Sequence, residues 1–131
     1  QRLRADPDLQ EVPAPAQFTS VLEPLEIASW RVIHVSDAVS LWQEGRAMEH
    51  CVYTYRDLCE LGVSQIFSIS RADTGERHGT AEFRRLGGQW TLVQFRGLKN
   101  RDPVVADEQE ARARDALMAE LAIRLAQAQS S

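Results

Sequence analysis

The sequence predicts an α+β domain, an antiparallel sheet of about four strands packed against two to three helices. Three observations lead there. Trp30-Arg31-Val32-Ile33-His34-Val35 is a short run of β-branched and aromatic residues, which suits a strand. Two further strand-like stretches, 79–86 and 89–97, meet at Gly87-Gly88, a pair that tolerates the positive φ of a two-residue hairpin turn. Leu117, Met118, Leu121, Ala122 and Leu125 recur at helical spacing and predict a buried stripe on a last helix. At 131 residues the chain fits one domain. A domain of that size buries roughly two-thirds of its unfolded surface and needs neither disulfide nor metal to hold a core.

Residues 1–29 carry Pro7, Pro13, Pro15 and Pro24 among acidic side chains and read as an extended linker or wrapping segment. Phe18, Val21 and Leu22 are its candidates for docking on the core. The α+β domain is expected over 30–131. After the first strand, Ser36 can cap a short helix that runs through Trp42 and ends at Gly45. Met48, Cys51, Val52, Tyr55, Leu58 and Cys59 then form an apolar stripe on a second helix closed by Gly62. Val63 to Ser70 reads as a strand, followed by a turn at Asp73-Thr74-Gly75. In the hairpin, a simple register pairs Glu82 with Val93 and Ala81 with Gln94, placing Phe83, Trp90, Leu92, Gln94 and Arg96 on one face. Asp107 caps the last helix, with Glu110 completing a capping-box pair.

The net charge of −4 is unevenly spread: residues 1–70 balance at −5, 71–101 at +4 and 102–131 at −3. The basic middle third suits an anionic ligand, while the total argues against bulk nucleic-acid binding. No apolar run approaches the roughly 20 residues of a membrane span, so no membrane partner is expected. Cys51 and Cys59 lie eight apart in what reads as one helix, a rise of about 12 Å that excludes a disulfide and points to a reducing, cytoplasmic setting. The chain starts with Gln1, which reads as an excised segment whose partners include other domains of a longer parent.

Several residues can carry chemistry. Cys51 reads either as a small core residue on the apolar stripe or as a nucleophile near its helix N-terminus, where backbone amides lower a thiol pKa. His50 points about 100° away on a helix, so a base for Cys51 comes from elsewhere, His34 or Glu82, or His50 acts alone. Neither CxxC nor HxxxH spacing occurs, so no metal site and no cofactor is expected. Glu82, Gln94 and Arg96 read either as a structural polar network, with Arg96 pairing Glu44 or Glu82, or as a pocket. In a pocket Arg96 grips an anion, Glu82 or His50 serves as base, and Gln94 and Asn100 orient the substrate. Arg84, Arg85, Lys99 and Arg101 can track phosphates beside it or form a solvated hairpin face.

Glu44-Gly45, His50-Cys51-Val52, Tyr55, Ala81-Glu82 and Gln94, Arg96, Gly97 and Asn100 appear in an order and spacing that resembles the PcfJ-like family. The resemblance covers about residues 40–101. Tyr53 departs from it, standing where members commonly have Gly. The family is associated with conjugative plasmids and other mobile elements and has no firmly assigned activity. Two functions are therefore expected in competition. One is an accessory module that binds nucleic acid or another polyanion through the basic hairpin. The other is a hydrolase or group transferase with His50, Cys51, Glu82 and Arg96 as catalytic residues and Tyr55, Gln94 and Asn100 against the substrate. A purely protein-interacting domain is the third reading.

Overall fold

The computed structural model describes Phe18 and residues 22–49, 56–100 and 107–130. Five strands follow one another as an antiparallel meander: β1 (Leu25–Ile27), β2 (Trp30–Val35), β3 (Ser64–Arg71), β4 (Arg77–Leu86) and β5 (Gln89–Arg96). Between β2 and β3 lie α1 (Ala38–Met48) and α2 (Arg56–Glu60), and α3 (Glu108–Ser130) ends the chain. The fold is α+β as expected, with five strands where about four were predicted. The additional strand, β1, pairs Leu25 with Val32 and Ile27 with Trp30.

Strand alternation sorts the sheet into two faces. One face carries Trp30, Val32, Phe67, Ile69, Ala81 and Phe83 and packs on Leu117, Met118, Leu121 and Leu125 of α3. That stripe is the one its spacing predicts. Asp107 caps α3 by accepting from the Glu110 amide at 2.8 Å. The other face carries Ile66 and Val35 beneath Ala38 and Leu41 of α1 and Cys59 of α2, with Phe18 closing this smaller core. Phe18 also donates its amide to Ser36 O at 2.7 Å.

The helix boundaries differ from the sequence reading. Asp37, not Ser36, is the N-cap of α1, accepting from the Ser40 amide at 2.7 Å. The helix also continues through Gly45 to the buried Met48, because burying Met48 outweighs the roughly 1 kcal/mol penalty of a helical glycine. Glu49 stops it, in the left-handed conformation with its N–H turned back to Arg46 O and Gly45 O. The single stripe expected from Met48 to Cys59 is therefore broken: Met48 belongs to α1 and Cys59 to α2. His50, Cys51, Val52 and Tyr55 lie outside the described residues, as does Arg101.

The hairpin turns at Gly87 and Gly88, both at positive φ, as expected. Its register does not stay simple. Leu86 pairs Gln89, Arg85 pairs Trp90 and Phe83 pairs Leu92, but Glu82 then pairs Gln94 and Ala81 pairs Phe95. Val93 is the extra residue of a β-bulge. Phe95 thereby joins the α3 core, and Gln94 and Arg96 move to the face of Glu82 and Thr80, away from Phe83 and Trp90.

Phe95 occupies space left open by Gly79. A methyl group on Gly79 would lie 2.5 Å from Phe95 Cε1 and 3.0 Å from Arg96 O. Gly79→Ala is expected to destabilise the domain by about 1–3 kcal/mol through overpacking. Urea denaturation checks this, and Gly79→Ala combined with Phe95→Leu should recover part of the loss.

Candidate functional site

The sequence-predicted set does not converge as one pocket within the described residues. Its centre is Glu82 on β4, which is 1% exposed and wholly engaged. Oε2 accepts from Ser64 Oγ at 2.6 Å and from Arg84 Nε at 2.7 Å, and Oε1 accepts from Gln94 Nε2 at 2.9 Å. Burying this carboxylate is tolerable because charge-assisted hydrogen bonds reach both oxygens. Ser64 stands opposite Arg84 on β3, and Gln94 reaches Glu82 only because the bulge turns it to this face.

A second buried carboxylate lies a few residues along the same face. Glu44 of α1, 3% exposed, accepts from Arg77 Nη1 and from Thr80 Oγ1, and Arg77 Nη1 also lies 3.4 Å from Ser68 Oγ. A buried polar network is present, with Arg77 and Arg84 on the two carboxylates where the sequence leads one to expect Arg96. Ser64, Ser68, Arg77 and Thr80 were missed in the sequence. For the two serines the available signal was the alternation of Ser64, Ser68 and Ser70 with Phe67 and Ile69 on β3.

The basic residues divide. Arg84 is held on Glu82, whereas Arg85 pairs with Trp90 and lies on the α3 side, so the two do not share a surface. Arg96, opposite Thr80, is exposed. Lys99 sits at φ 56° in the 3-10 turn Leu98–Asn100, with Nζ 3.9 Å from Glu49 Oε1. The side chain of Asn100 lies outside the description. Arg31, which the sequence reading did not single out, is exposed on the same face as Arg77, since Arg31 pairs Ser70 and Ser70 pairs Arg77.

Two imidazoles and one thiol are buried away from this face or beneath it. His34 Nε2 meets Gln65 Oε1 at 2.5 Å and its ring packs on Phe67. His78 lies between Trp30 at 4.6 Å and Phe95 at 5.7 Å, with Arg71 over Trp30 and Arg114 over Phe95. Burial lowers the pKa of both, and for His78 the Arg71 and Arg114 charges lower it further. Burial pushes the Cys59 thiol up to about 11, so it stays protonated at neutral pH. Among the described residues no group of three or more His, Cys, Asp or Glu is placed to hold a metal. No helix there is long and apolar enough to cross a membrane.

Glu82→Ala strands the buried Ser64 hydroxyl and the Gln94 amide and takes the carboxylate from Arg84 Nε, at an expected cost of about 3 kcal/mol, seen as a lower urea midpoint. Acid weakens the fold through His34 and His78. Both are neutral when folded, whereas in the unfolded chain they protonate near the ordinary value of 6.5. Their contribution is present in full above 6.5 and is lost as pH falls through that value toward the lower folded-state pKa. Thermal melts across this range should show a falling Tm, with a shallower fall in His78→Phe.

A model of the family described as PcfJ-like protein matches residues 1–112. No curated protein and no solved structure matches the chain. The chain belongs to the PcfJ-like family.

Proposed function

We propose that the chain is a binding module for a polyanion, nucleic acid foremost, and that it binds on the α1 side of the sheet rather than at the hairpin tip. The observation that carries this reading is the register. Arg31 on β2, Arg77 on β4 and Arg96 on β5 share one face, with Lys99 just beyond the end of β5. Strands lie about 4.8 Å apart, so these cations spread over a surface about as wide as a nucleic-acid backbone contact requires. Arg77 is the anchored member, fixed through Glu44 with a side chain still 42% exposed. The Lys99–Glu49 pair is exposed on both sides, so it is worth little and exchanges readily for a phosphate. The family's association with conjugative plasmids and other mobile elements agrees with a nucleic-acid ligand.

In the alternative, an enzyme with Cys51 as nucleophile and a His/Glu/Gln/Arg/Asn pocket, either Glu82 or His50 supplies the base. Glu82 is buried and each of its oxygens already accepts at least one hydrogen bond, which weighs against Glu82 in that role.

Fluorescence anisotropy with labelled single-stranded and duplex oligonucleotides tests the proposal. Binding should weaken steeply between about 50 and 200 mM salt. Arg31→Ala, Arg96→Ala and Lys99→Ala together should lower the slope of log K against log salt by about three. Arg84→Ala with Arg85→Ala should leave that slope unchanged. Absence of binding, salt-independent binding, or dependence on the hairpin-tip pair alone would overturn the assignment.

A further inference from the structure

On the opposite side of the sheet, the tip of the β4–β5 hairpin and the C-terminal half of α3 enclose a groove of about 430 Å³, within the range of small-ligand sites. Arg85, Gly88, Gln89 and Trp90 line it from the hairpin, and Ala122, Ile123 and Ala126 from the helix. The space exists because α3 presents two alanines, one turn apart, to the part of the sheet nearest the turn. A leucine at either position would fill it.

The lining has a definite chemistry. Trp90 is 8% exposed, and its indole Nε1–H, although buried, meets no acceptor. Arg85 is the cross-strand neighbour of Trp90 on the same face and is exposed at the rim. Its guanidinium carries five N–H donors in a fork that matches a carboxylate, whatever other contacts it makes. Ile123, half exposed, adds an aliphatic edge. The groove therefore combines an aromatic wall, an aliphatic wall and one cation.

We propose that this groove binds a small amphipathic carboxylate, with its aromatic or branched aliphatic body against Trp90 and the alanine face of α3 and its carboxylate on Arg85. The neutral amide of the same acid has the shape but not the charge, and bulk polyanions have the charge but not the apolar body. Neither satisfies both walls. The site is separate from the arginine-bearing face on the α1 side, so it stands or falls independently of nucleic-acid binding.

The test uses the full chain with phenylacetate as probe and phenylacetamide as its uncharged counterpart. The Trp90 indole N–H resonance, identified by its loss in Trp90→Phe, reports occupancy. Phenylacetate should shift it saturably, and phenylacetamide should bind at least about ten-fold more weakly, as expected when a charge-assisted pair is lost. Arg85→Gln should weaken phenylacetate by a similar factor. Ala126→Leu, at an exposed helix position, should abolish the shift while oligonucleotide binding and thermal stability persist. No saturable shift up to about 10 mM would overturn the proposal. So would equal binding of acid and amide, or binding retained in Ala126→Leu. A peptide carboxylate binding far more tightly than phenylacetate would overturn the small-molecule assignment in favour of a protein partner.

Discussion

Between Leu92 and Gln94 the last strand carries one residue more than its neighbour, and the side chains beyond that point exchange faces. Because strand alternation has a period of two, one inserted residue is enough to invert everything downstream. Phe95 turns inward to lie over the bare backbone of Gly79 and beside His78, while Gln94 turns outward to close the shell of Glu82. Without the bulge, Gln94 and Arg96 would enter the α3 core and Phe95 would face the polar network. The composition of both faces depends on Val93 being the unpaired residue.

The α1 side of the sheet is held by two buried carboxylates rather than by a large apolar core. Glu44 links α1 to β4 through Arg77 and Thr80, and Glu82 links β3, β4 and β5 through Ser64, Arg84 and Gln94. Such networks contribute little net stability relative to well-packed hydrophobic residues, since desolvation offsets most of the attraction. Breaking one is expensive all the same, because a buried partner such as Ser64 is left without its acceptor. These carboxylates are therefore best understood as fixing geometry. They hold β4 and its arginines in place beneath α1.

On the other side, α3 is clamped at its start as well as along its stripe. Arg71 meets Glu110 with two hydrogen bonds of 2.9 and 3.0 Å. It also lies over Trp30, in a stack that continues through His78 and Phe95 to Arg114. A bidentate, partly buried pair of this kind outweighs the fully exposed Arg112–Glu108 pair on the same helix, which is worth at most a few tenths of a kcal/mol. The helix face that packs is thus anchored at its N-terminal end by charge and along its length by leucines, and the groove opens near its other end, where Ala122 and Ala126 flank the buried Leu125.

Local chemistry determined much of this protein. The β-branched run of β2, the Gly87-Gly88 turn, the Asp107 cap and the leucine stripe of α3 each act over a few residues, and the sequence alone is sufficient to place them. The family was legible too, because its marks are residues at fixed spacing. Three things required the tertiary structure. Helix α1 runs through Gly45 because Met48 finds a buried site, a gain invisible to local propensity. The hairpin register slips at Val93 because the space above Gly79 accepts Phe95, a contact set by two different strands. Arg31 joins the basic face only through pairings across β2, β3 and β4, residues some 40 to 50 positions apart that no spacing rule connects. Neighbours in the chain fix the local elements, whereas the surface this domain presents is decided by neighbours in the sheet.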